Sequence, residues 1–594
     1  MLQELIKQYF PEETKVEKEE AKQIFKLPIS YLPKEKVFSL NPVVSNDLEL
    51  MVTENNEEKR GMYDYLFHPQ HQFALDIIPL WNTQFTTDSI FLTESQKIVQ
   101  DLSIYKGAME TNKYIISHES LMEIWTATRQ DNRFLDKYNY IEWDMLKHLN
   151  ENTLFLQSIS LANMISPIIS FIIPIIFLIL PFAILKIQGQ PITVEIYIDV
   201  LKDIAKHHFI GKTLTSLQSL DIQNIAYMVF TFCMYVYQIY QNIVSCSRFY
   251  SNIQQINSHL YEITQYMNYS LRSMRSFIDI IETCTTYSVF RQELIRHYNT
   301  LLELKKELGN IQPFSPSILK LTEIGDLLKA YYVLYDRDDF AESLKYSFGF
   351  EGYMNNLLGL YENLSLNRVS FATFDLSLNT SIEGGYYPSH MAHDYVTNDC
   401  SFNENMVITG PNASGKTTFL KTVMINIIFS QQTGYGFYSG CILNPYTHIH
   451  SYLNIPDTSG RDSLFQAESR RCKDILDIIK VSGSNSHHLC TFDELYSGTN
   501  PEEATKSAYS FLLYLAKNEN VDFILTTHYT SICSRLKKEK NIETWKMDAV
   551  VGENDGIKYT YKIRKGVSKI QGAVSILKEM DYPKEILDGI LDWK

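Results

Sequence analysis

The stretch Met406-Val-Ile-Thr-Gly410-Pro-Asn-Ala-Ser-Gly415-Lys416-Thr417-Thr418 determines how the last third of this 594-residue chain is expected to fold. Its first residues predict a buried strand, and the apolar spacing from Phe419 onward predicts an amphipathic helix. A strand that opens through a glycine loop into a helix is the context that a Walker A motif requires. The sequence therefore predicts an α/β P-loop NTPase domain over 373–594.

The loop residues predict a site for ATP and Mg²⁺. Gly410 and Gly415 let backbone N–H groups turn toward phosphate oxygens, and the N-terminus of the helix adds partial positive charge. Lys416 is expected to reach the β- and γ-phosphates, and the Thr417 hydroxyl to coordinate Mg²⁺. The predicted nucleotide contacts of this loop are Gly410, Pro411, Asn412, Ala413, Ser414, Gly415, Lys416, Thr417 and Thr418.

A second apolar run, His488-Leu-Cys-Thr-Phe-Asp493-Glu494, ends in two adjacent carboxylates. In isolation such a pair is most often a solvated strand end, but after a Walker A loop it matches the Walker B pattern. Asp493 is expected to hold the water shell of Mg²⁺, and Glu494 to polarise the attacking water. The next apolar run, 521–527, predicts a strand that ends at His528, a placement that suits a sensor of the γ-phosphate.

These motifs resemble the ATPase domain of the MutS family. The resemblance is carried by the Walker A loop, by Asp493-Glu-Leu-Tyr-Ser-Gly-Thr-Asn500, by Thr526-Thr-His528 and by the segment from Tyr387-Pro388 to Tyr395-Val-Thr-Asn398. It implies that Tyr395 stacks on adenine and that Asn412 lies against the phosphates. The resemblance in motifs covers residues 380–594. Over residues 250–380 it consists only of a helical pattern like that of the family's lever.

The resemblance also implies a homodimer formed through the ATPase domain. Gly460-Arg-Asp-Ser463-Leu-Phe-Gln-Ala-Glu468 is similar to the family's signature loop with one extra residue, which implies that Ser463 reaches the nucleotide of a partner subunit. Lys565-Gly-Val-Ser568 and the stretch from Gly572-Ala573 to Pro583-Lys-Glu-Ile586 are similar to the family's closing helices. The resemblance therefore predicts dimerisation helices at the carboxyl end.

The composition changes abruptly in the middle of the chain. No charged residue lies between Glu151 and Lys186, and 168–185 consists of Ile, Leu, Phe and Ala apart from one serine and two prolines. A second uncharged stretch, centred on 226–244, is aromatic-rich but holds three amide side chains. We predict membrane spans at 164–185 and 226–244 within a hydrophobic region, 161–248. A pair of buried core helices is the alternative.

The remaining segments predict mainly helical structure. Residues 1–60 form a charged, partly ordered arm, and 61–160 form a helical region. Over 249–372, apolar residues at steps of three and four predict a lever of long amphipathic helices. The first helix is expected to continue to about Leu308 and to end near 311–316, before a second helical block over 318–366.

Composition limits the functions that the ATPase can serve. With 54 basic and 69 acidic residues the net charge is −15, so charge gives no support for DNA binding. The eight cysteines form no CxxC pair, which fits a reducing compartment, and the acidic amino terminus does not resemble a signal peptide. Phe10-Pro11-Glu12 matches the Phe-x-Glu wedge of mismatch readers only formally, and no LSGGQ-like motif of an ABC transporter occurs.

Two functions therefore remain. The first is a MutS-family ATPase that drives a dimeric lever or clamp on DNA, in a mismatch-repair-related or recombination role. The alternative is a membrane-anchored mechanochemical ATPase without mismatch recognition, similar to shorter MutS-like forms that include those of large DNA viruses. The first predicts a soluble cytoplasmic or nuclear protein, and the second predicts membrane association with the ATPase in the cytosol.

Overall fold

A computed structural model describes residues 24–52, 60–110, 114–205, 222–309, 311–315, 320, 322–391, 395–453, 455, 463–483, 485–536, 539–551, 557–568, 577, 580 and 582–591. The chain divides into two compact units. Unit 1 comprises Met1–Lys113, Arg272–Tyr298 and Lys345–Lys594, and unit 2 comprises Tyr114–Leu271 and Asn299–Leu344. Three separated parts of the chain build unit 1, so its limits do not follow the predicted segments 161–248 and 249–372.

Helices make up most of the chain before residue 370, and most strands lie after it. The helices are α1 Pro42–Asp47, α2 Met62–Phe67, α3 Gln72–Trp81, α4 Ser89–Met109, α5 His118–Arg129, α6 Phe134–Lys137, α7 Thr153–Ile187, α8 Val194–Ala205, α9 Ile222–Ile280, α10 Ser288–Leu308, α11 Ile324–Asp336, α12 Asp338–Ser365, α13 Lys416–Thr433, α14 Leu464–Val481, α15 Pro501–Leu515, α16 Thr530–Leu536 and α17 Lys584–Leu591. The strands are β1 Val37–Ser39, β2 Gln84–Thr86, β3 Ser370–Phe374, β4 Ser381–Gly385, β5 Asn398–Ser401, β6 Asn405–Thr409, β7 Tyr435–Gly436, β8 Gly440–Leu443, β9 His448–Tyr452, β10 His488–Asp493, β11 Val521–Thr527, β12 Ile542–Val551 and β13 Ile557–Lys565. The prediction of a mainly helical region ahead of an α/β region is confirmed.

A six-stranded sheet forms the centre of the carboxy-terminal part, in the order β13-β12-β6-β11-β10-β9. Strands β12, β6, β11, β10 and β9 are parallel, and β13 pairs with β12 in the antiparallel direction. The register aligns Asp493 with Thr526, and Thr526 with Ile408. The carboxyl ends of β6, β10 and β11 therefore meet at one edge, where parallel sheets commonly bind ligands.

Both faces of this sheet are covered. On one face, apolar side chains of the strands join those of α14, α15 and α16 in a single core that includes Phe492, Ile475 and Leu512. Helix α13 contacts β10 and β11 as well as β4 and β7 of a second sheet, ordered β5-β4-β8-β3-β7, and is buried along most of its length. It ends at Gly434, whose φ of 84° is the left-handed conformation that terminates many helices.

Within the predicted amino-terminal arm, 1–60, the described residues 24–52 are folded. Phe25 and Leu27 are buried in unit 1, and β1 pairs with β2. The Phe10-Pro11-Glu12 string lies outside the described residues. In this segment apolar residues are separated by prolines rather than spaced with a helical period, so the sequence did not predict their burial.

The apolar spacing predicted for the lever is confirmed. The residues concerned are all buried: Ile253, Ile256, Leu260, Ile263, Met267, Leu271, Met274, Phe277, Leu294, Leu301, Leu304 and Leu308. The prediction of one helix through Leu308 is wrong, because the chain leaves the helix after Ile280 and begins α10 at Ser288. Here the Glu94 carboxylate accepts hydrogen bonds from the backbone N–H groups of Thr285 and Thr286, at 2.8 and 2.9 Å, and draws the backbone out of helical geometry.

Within unit 2, α7 and the first part of α9 lie side by side. Ser170 accepts hydrogen bonds at its backbone oxygen from Tyr235 Oη, at 2.7 Å, and at its hydroxyl from Asn242 Nδ2, at 2.6 Å. By length and composition, one segment of the described chain could cross a membrane, Thr153–Ile173. It overlaps the predicted span 164–185 in part, and within the described residues no second segment meets the same criteria.

Candidate functional site

The loop between β6 and α13 folds back on itself at the carboxyl edge of the central sheet. Ala413 and Gly415 have φ values of 62° and 95°, and Ser414 Oγ donates to the Pro411 carbonyl at 2.7 Å. A Cβ on Gly410 would lie 2.7 Å from Ser414 Oγ, so a larger residue would push the loop open. Left-handed backbone outside glycine is costly and is typical of sites that a fold holds in shape for a ligand.

Lys416 is the first residue of α13 and is almost fully buried. Its ammonium donates to the carbonyls of Gly410 and Pro411, each at 3.1 Å, and lies 3.8 Å from Glu494 Oε1. Burial lowers the pKa of this ammonium from its usual value, although Glu494 and Asp493 act in the opposite direction. Its two hydrogen bonds go to neutral carbonyls, so an anion in the pocket would be attracted strongly by this desolvated cation.

Thr417 and Asp493 are joined across the site. Thr417 Oγ1 donates to Asp493 Oδ2 at 2.6 Å, and the Thr526 hydroxyl contacts the other carboxylate oxygen. The pairing of β10 with β11 places Thr526 directly beside Asp493. The carboxylate is therefore fixed from two sides at the amino end of α13.

Glu494 follows β10 and is held in a strained conformation. Its φ is 54°, and its backbone N–H donates to the Thr526 carbonyl at 3.0 Å. Its carboxylate lies 3.4 Å from His528 Nδ1, and the His528 ring is half-exposed. Glu494 therefore has one oxygen near both the buried Lys416 and the sensor candidate His528.

A pocket of about 780 Å³ opens beside these groups. Its walls include eight residues predicted from sequence: Asn412, Ala413, Gly415, Lys416, Thr417, Thr418, Asp493 and Glu494. Gly410, Pro411 and Ser414 shape the loop behind this wall, and His528 contacts Glu494 without lining the pocket. Three features favour anion binding in this pocket. They are the N-terminus of α13, the inward-turned backbone of the loop and the buried ammonium of Lys416.

Two predicted contacts lie away from this wall. Tyr395 is half-exposed, and its ring stacks on Tyr386 with a centroid distance of 4.3 Å. Ser463 caps α14: its hydroxyl accepts from Gln466 N at 3.3 Å, and Gln466 Oε1 accepts from Ser463 N at 2.9 Å. The residues that precede it in the predicted signature loop, Gly460 to Asp462, lie outside the described residues, as do Gly572 and Ala573.

Eight further residues line the pocket and were not predicted as site residues: Gly385, Tyr387, His390, Val396, Asn398, Phe419, Thr422 and Tyr561. Asn398 bridges two strands, donating to the Tyr561 carbonyl and accepting from Ile563 N, both at 2.9 Å. Tyr561 has a φ of 55° and would lie 3.1 Å from a Cβ at position 415. The quoted segment from Tyr387 to Asn398 already pointed to this wall, whereas nothing in the local sequence marks Tyr561.

Within the described part of the chain, no group of three or more His, Cys, Asp and Glu side chains is arranged to hold a metal ion. The pocket instead offers a hydroxyl and a carboxylate, from Thr417 and Asp493. Two oxygen donors leave most of an ion's coordination sphere to water or to a ligand.

Residues 406–591 match the family model of MutS domain V. Over 198 residues the chain is 28% identical to the DNA mismatch repair protein MutS of Prochlorococcus marinus (strain MIT 9312), which is 33% of this chain and 21% of that protein. Over 263 residues it is 27% identical to endonuclease MutS2 of Lactococcus lactis subsp. cremoris (strain SK11), which is 42% of this chain and 32% of that protein. The match thus spans a fifth to a third of these relatives. The carboxy-terminal part of the chain is thus similar to domain V of the MutS family.

Proposed function

Because residues 406–591 match MutS domain V, we propose that the chain binds ATP with Mg²⁺ and hydrolyses it in the pocket at the carboxyl edge of the six-stranded sheet. The observation that carries the proposal is the convergence of Lys416, Thr417, Asp493 and Glu494 on one cavity. Each supplies a group that phosphoryl transfer to water needs: a cation, two oxygen donors and a base.

In this proposal, phosphate oxygens replace the loop carbonyls as partners of Lys416. The hydroxyl of Thr417 and the carboxylate of Asp493 hold Mg²⁺, a fit to an ion that takes few protein oxygens and keeps several waters. When bound, the ion neutralises charge on the phosphate oxygens. Glu494 orients and deprotonates the attacking water, and His528, 3.4 Å from that carboxylate, responds to the γ-phosphate. Tyr395 as the adenine platform stays a prediction.

Nucleotide binding tests the assignment of Lys416. Lys416→Ala should weaken binding of a fluorescent ATP analogue about a hundredfold or more, since a charge-assisted contact in a desolvated site is lost. Lys517→Ala is the matched control, because Lys517 is exposed in the turn after α15 and should bind as wild type. Equal affinity of the Lys416→Ala and wild-type chains would exclude this pocket as the nucleotide site.

We further propose a homodimer in which Ser463 contributes to the partner's site. The support is its position at the N-terminus of α14, where a capping hydroxyl and the positive end of the helix can meet an anion brought by a second chain. Mixing Lys416→Ala chains with Ser463→Ala chains should restore activity, because each heterodimer regains one intact site. Full activity in a strictly monomeric preparation would refute the shared site.

Membrane anchoring is the second candidate, and the α7–α9 pair favours it. Apolar side chains are exposed along both helices, among them Ile168, Phe171, Ile176, Phe230 and Phe232. The polar groups of Ser170, Tyr235 and Asn242 are instead paired between the helices. Apolar groups outside and hydrogen bonds inside are typical of helices packed in lipid. Gln238 and Gln241 are exposed on α9, which interrupts its apolar surface.

Flotation of the full-length chain with lipid vesicles tests the anchor. Wild-type chain should float, and an Ile169→Glu, Ile176→Glu variant should sediment, because a carboxylate at a helix centre costs about 2.5–3.5 kcal/mol in a bilayer. Recovery of wild-type chain in the soluble fraction without detergent would exclude the anchor.

The proposed ATPase could do its work on DNA or at a membrane. We propose that a DNA role of the kind named for the MutS relatives is replaced here by work at the membrane, since the net charge is −15. At near-physiological salt, DNA binding should be weak and equal for homoduplex and single-mismatch duplex. A tenfold preference for the mismatch, about 1.4 kcal/mol, would instead support a mismatch-repair-related or recombination role.

A further inference from the structure

A buried carboxylate joins α14 to the loop that follows Glu494. Glu468 lies one turn into α14 and is 2% exposed. Its Oε1 accepts hydrogen bonds from the backbone N–H and the hydroxyl of Ser497, both at 2.9 Å, and its Oε2 accepts from Gly498 N at 3.2 Å. Three donors on one desolvated carboxylate form a strong connection, because breaking it would leave a buried charge without partners.

The same loop packs against the first turn of α14. A Cβ on Gly498 would lie 2.7 Å from Leu464 Cγ and 2.8 Å from Phe465 N, so only glycine allows this approach. The rings of Phe465 and Tyr496 are in contact, with a centroid distance of 5.7 Å. The first turn of α14 and residues 496–498 are therefore packed tightly against each other.

The loop needs such external support because its backbone is strained. Glu494 and Tyr496 both have positive φ values, 54° and 60°. Left-handed conformations of non-glycine residues cost of order 1 kcal/mol or more each and persist only where surrounding contacts impose them. Tyr496 N donates to Tyr452 Oη at 3.2 Å, and the Tyr496 ring also contacts Phe511 of α15. Glu494 N is held by the Thr526 carbonyl of β11, whereas Ser497 and Gly498 are held by α14.

We propose that Glu468 is a positioning residue for Glu494: through Ser497 and Gly498 it fixes the loop that sets where the Glu494 carboxylate lies, and it ties that position to the N-terminus of α14. Any displacement of Ser463, which caps this helix, then moves the base of the same chain. The inference rests on the proposed ATP hydrolysis, and it gives a route by which events at the start of α14 control the rate.

The test is a double-substitution cycle in the full-length chain. Glu468→Gln keeps the shape of the side chain but turns an amide N–H₂ toward the donors of the loop. It should lower kcat between about tenfold and a hundredfold, the cost of misplacing a reacting group by about 1 Å. The KM for ATP and the affinity for the fluorescent analogue should stay within about twofold, because Glu468 does not line the pocket. Glu519→Gln, at an exposed position, is the matched control and should behave as wild type.

The cycle separates positioning from general structural damage. If Glu468 acts through Glu494, adding Glu468→Gln to a Glu494→Gln chain should not lower the residual rate further. Additive losses, or a parallel loss of nucleotide affinity, would overturn the inference, as would an unchanged kcat in Glu468→Gln. Failure of the proposed function gives a different result, namely that Glu494→Gln itself hydrolyses ATP at the wild-type rate.

Discussion

Lowering the pH from 7.5 to 5 is expected to loosen the β9–β10 edge of the central sheet, where three histidines are stacked. His448 and His488 are direct partners across the two strands, and His450 and His488 stack with centroids 5.4 Å apart. His450 Nε2 and His488 Nδ1 are 3.1 Å apart, so one nitrogen must be unprotonated to accept the hydrogen bond. Ser486 Oγ occupies the other nitrogen of His488, at 2.9 Å.

The size of the effect follows from two depressed pKa values. Burial, with the neighbouring histidines, lowers the pKa of His450 to about 3 and that of His488 to about 4, from an ordinary 6.5. Below pH 6.5 the two imidazoles bind protons in the unfolded chain but remain neutral in the folded strands. The free energy of unfolding therefore falls as the pH falls. At pH 5 the loss is about 2 kcal/mol for each imidazole, or about 4 kcal/mol together.

Hydrogen exchange of peptides from β9 and β10, corrected for the intrinsic pH dependence, measures this loss as a change in protection. The opening equilibrium should rise about a thousandfold between pH 7.5 and pH 5. In a His488→Phe chain the rise should shrink to about thirtyfold, since one titrating group is gone. A corrected change below about fivefold in the wild-type chain would show that protonation of His450 and His488 does not open these strands.

Three further predictions concern single positions. Gly359→Ala should destabilise unit 1 by more than about 3 kcal/mol in urea unfolding, because its Cβ would lie 1.7 Å from the Phe67 carbonyl oxygen; Gly107→Ala, with open space around the Cβ, should be neutral or stabilising by about 1 kcal/mol. Thr417→Val should raise the Mg²⁺ concentration for half-maximal ATPase activity about tenfold, and an unchanged Mg²⁺ titration would exclude Thr417 as a donor. Tyr561→Ala should weaken nucleotide binding about fivefold or more, and wild-type affinity would show that this pocket wall does not contact the nucleotide.

Local patterns predicted the parts of the site that are close together in sequence. The strand, glycine loop and helix around Gly415 are contiguous, so backbone conformation alone places Lys416 and Thr417. Asp493 and Glu494 follow a buried apolar run, and the parallel pairing of β10 and β11 brings Asp493 to the same sheet edge. Periodicity likewise predicted which residues of α9 are buried, since their spacing follows the turn of the helix.

Contacts between distant segments could not be predicted in this way. Tyr561 reaches the pocket from β13, whose alternation of tyrosines and lysines reads as an ordinary edge strand. The break after Ile280 depends on Glu94, which lies on a different helix, α4. Its carboxylate accepts hydrogen bonds from the backbone N–H groups of Thr285 and Thr286. The support of Glu494 by Glu468 depends on a side chain that local sequence gives no reason to bury. Tertiary packing decided all three.

Single-turnover hydrolysis shows whether Glu494 is the base that activates water for ATP cleavage. Wild-type and Glu494→Gln chains are loaded with labelled ATP, Mg²⁺ is added, and the phosphate released from bound nucleotide is followed over time. We expect the Glu494→Gln chain to bind ATP as tightly as wild type and to cleave it at least about a hundredfold more slowly, the usual contribution of a general base. Cleavage by Glu494→Gln at the wild-type rate would exclude Glu494 as the base.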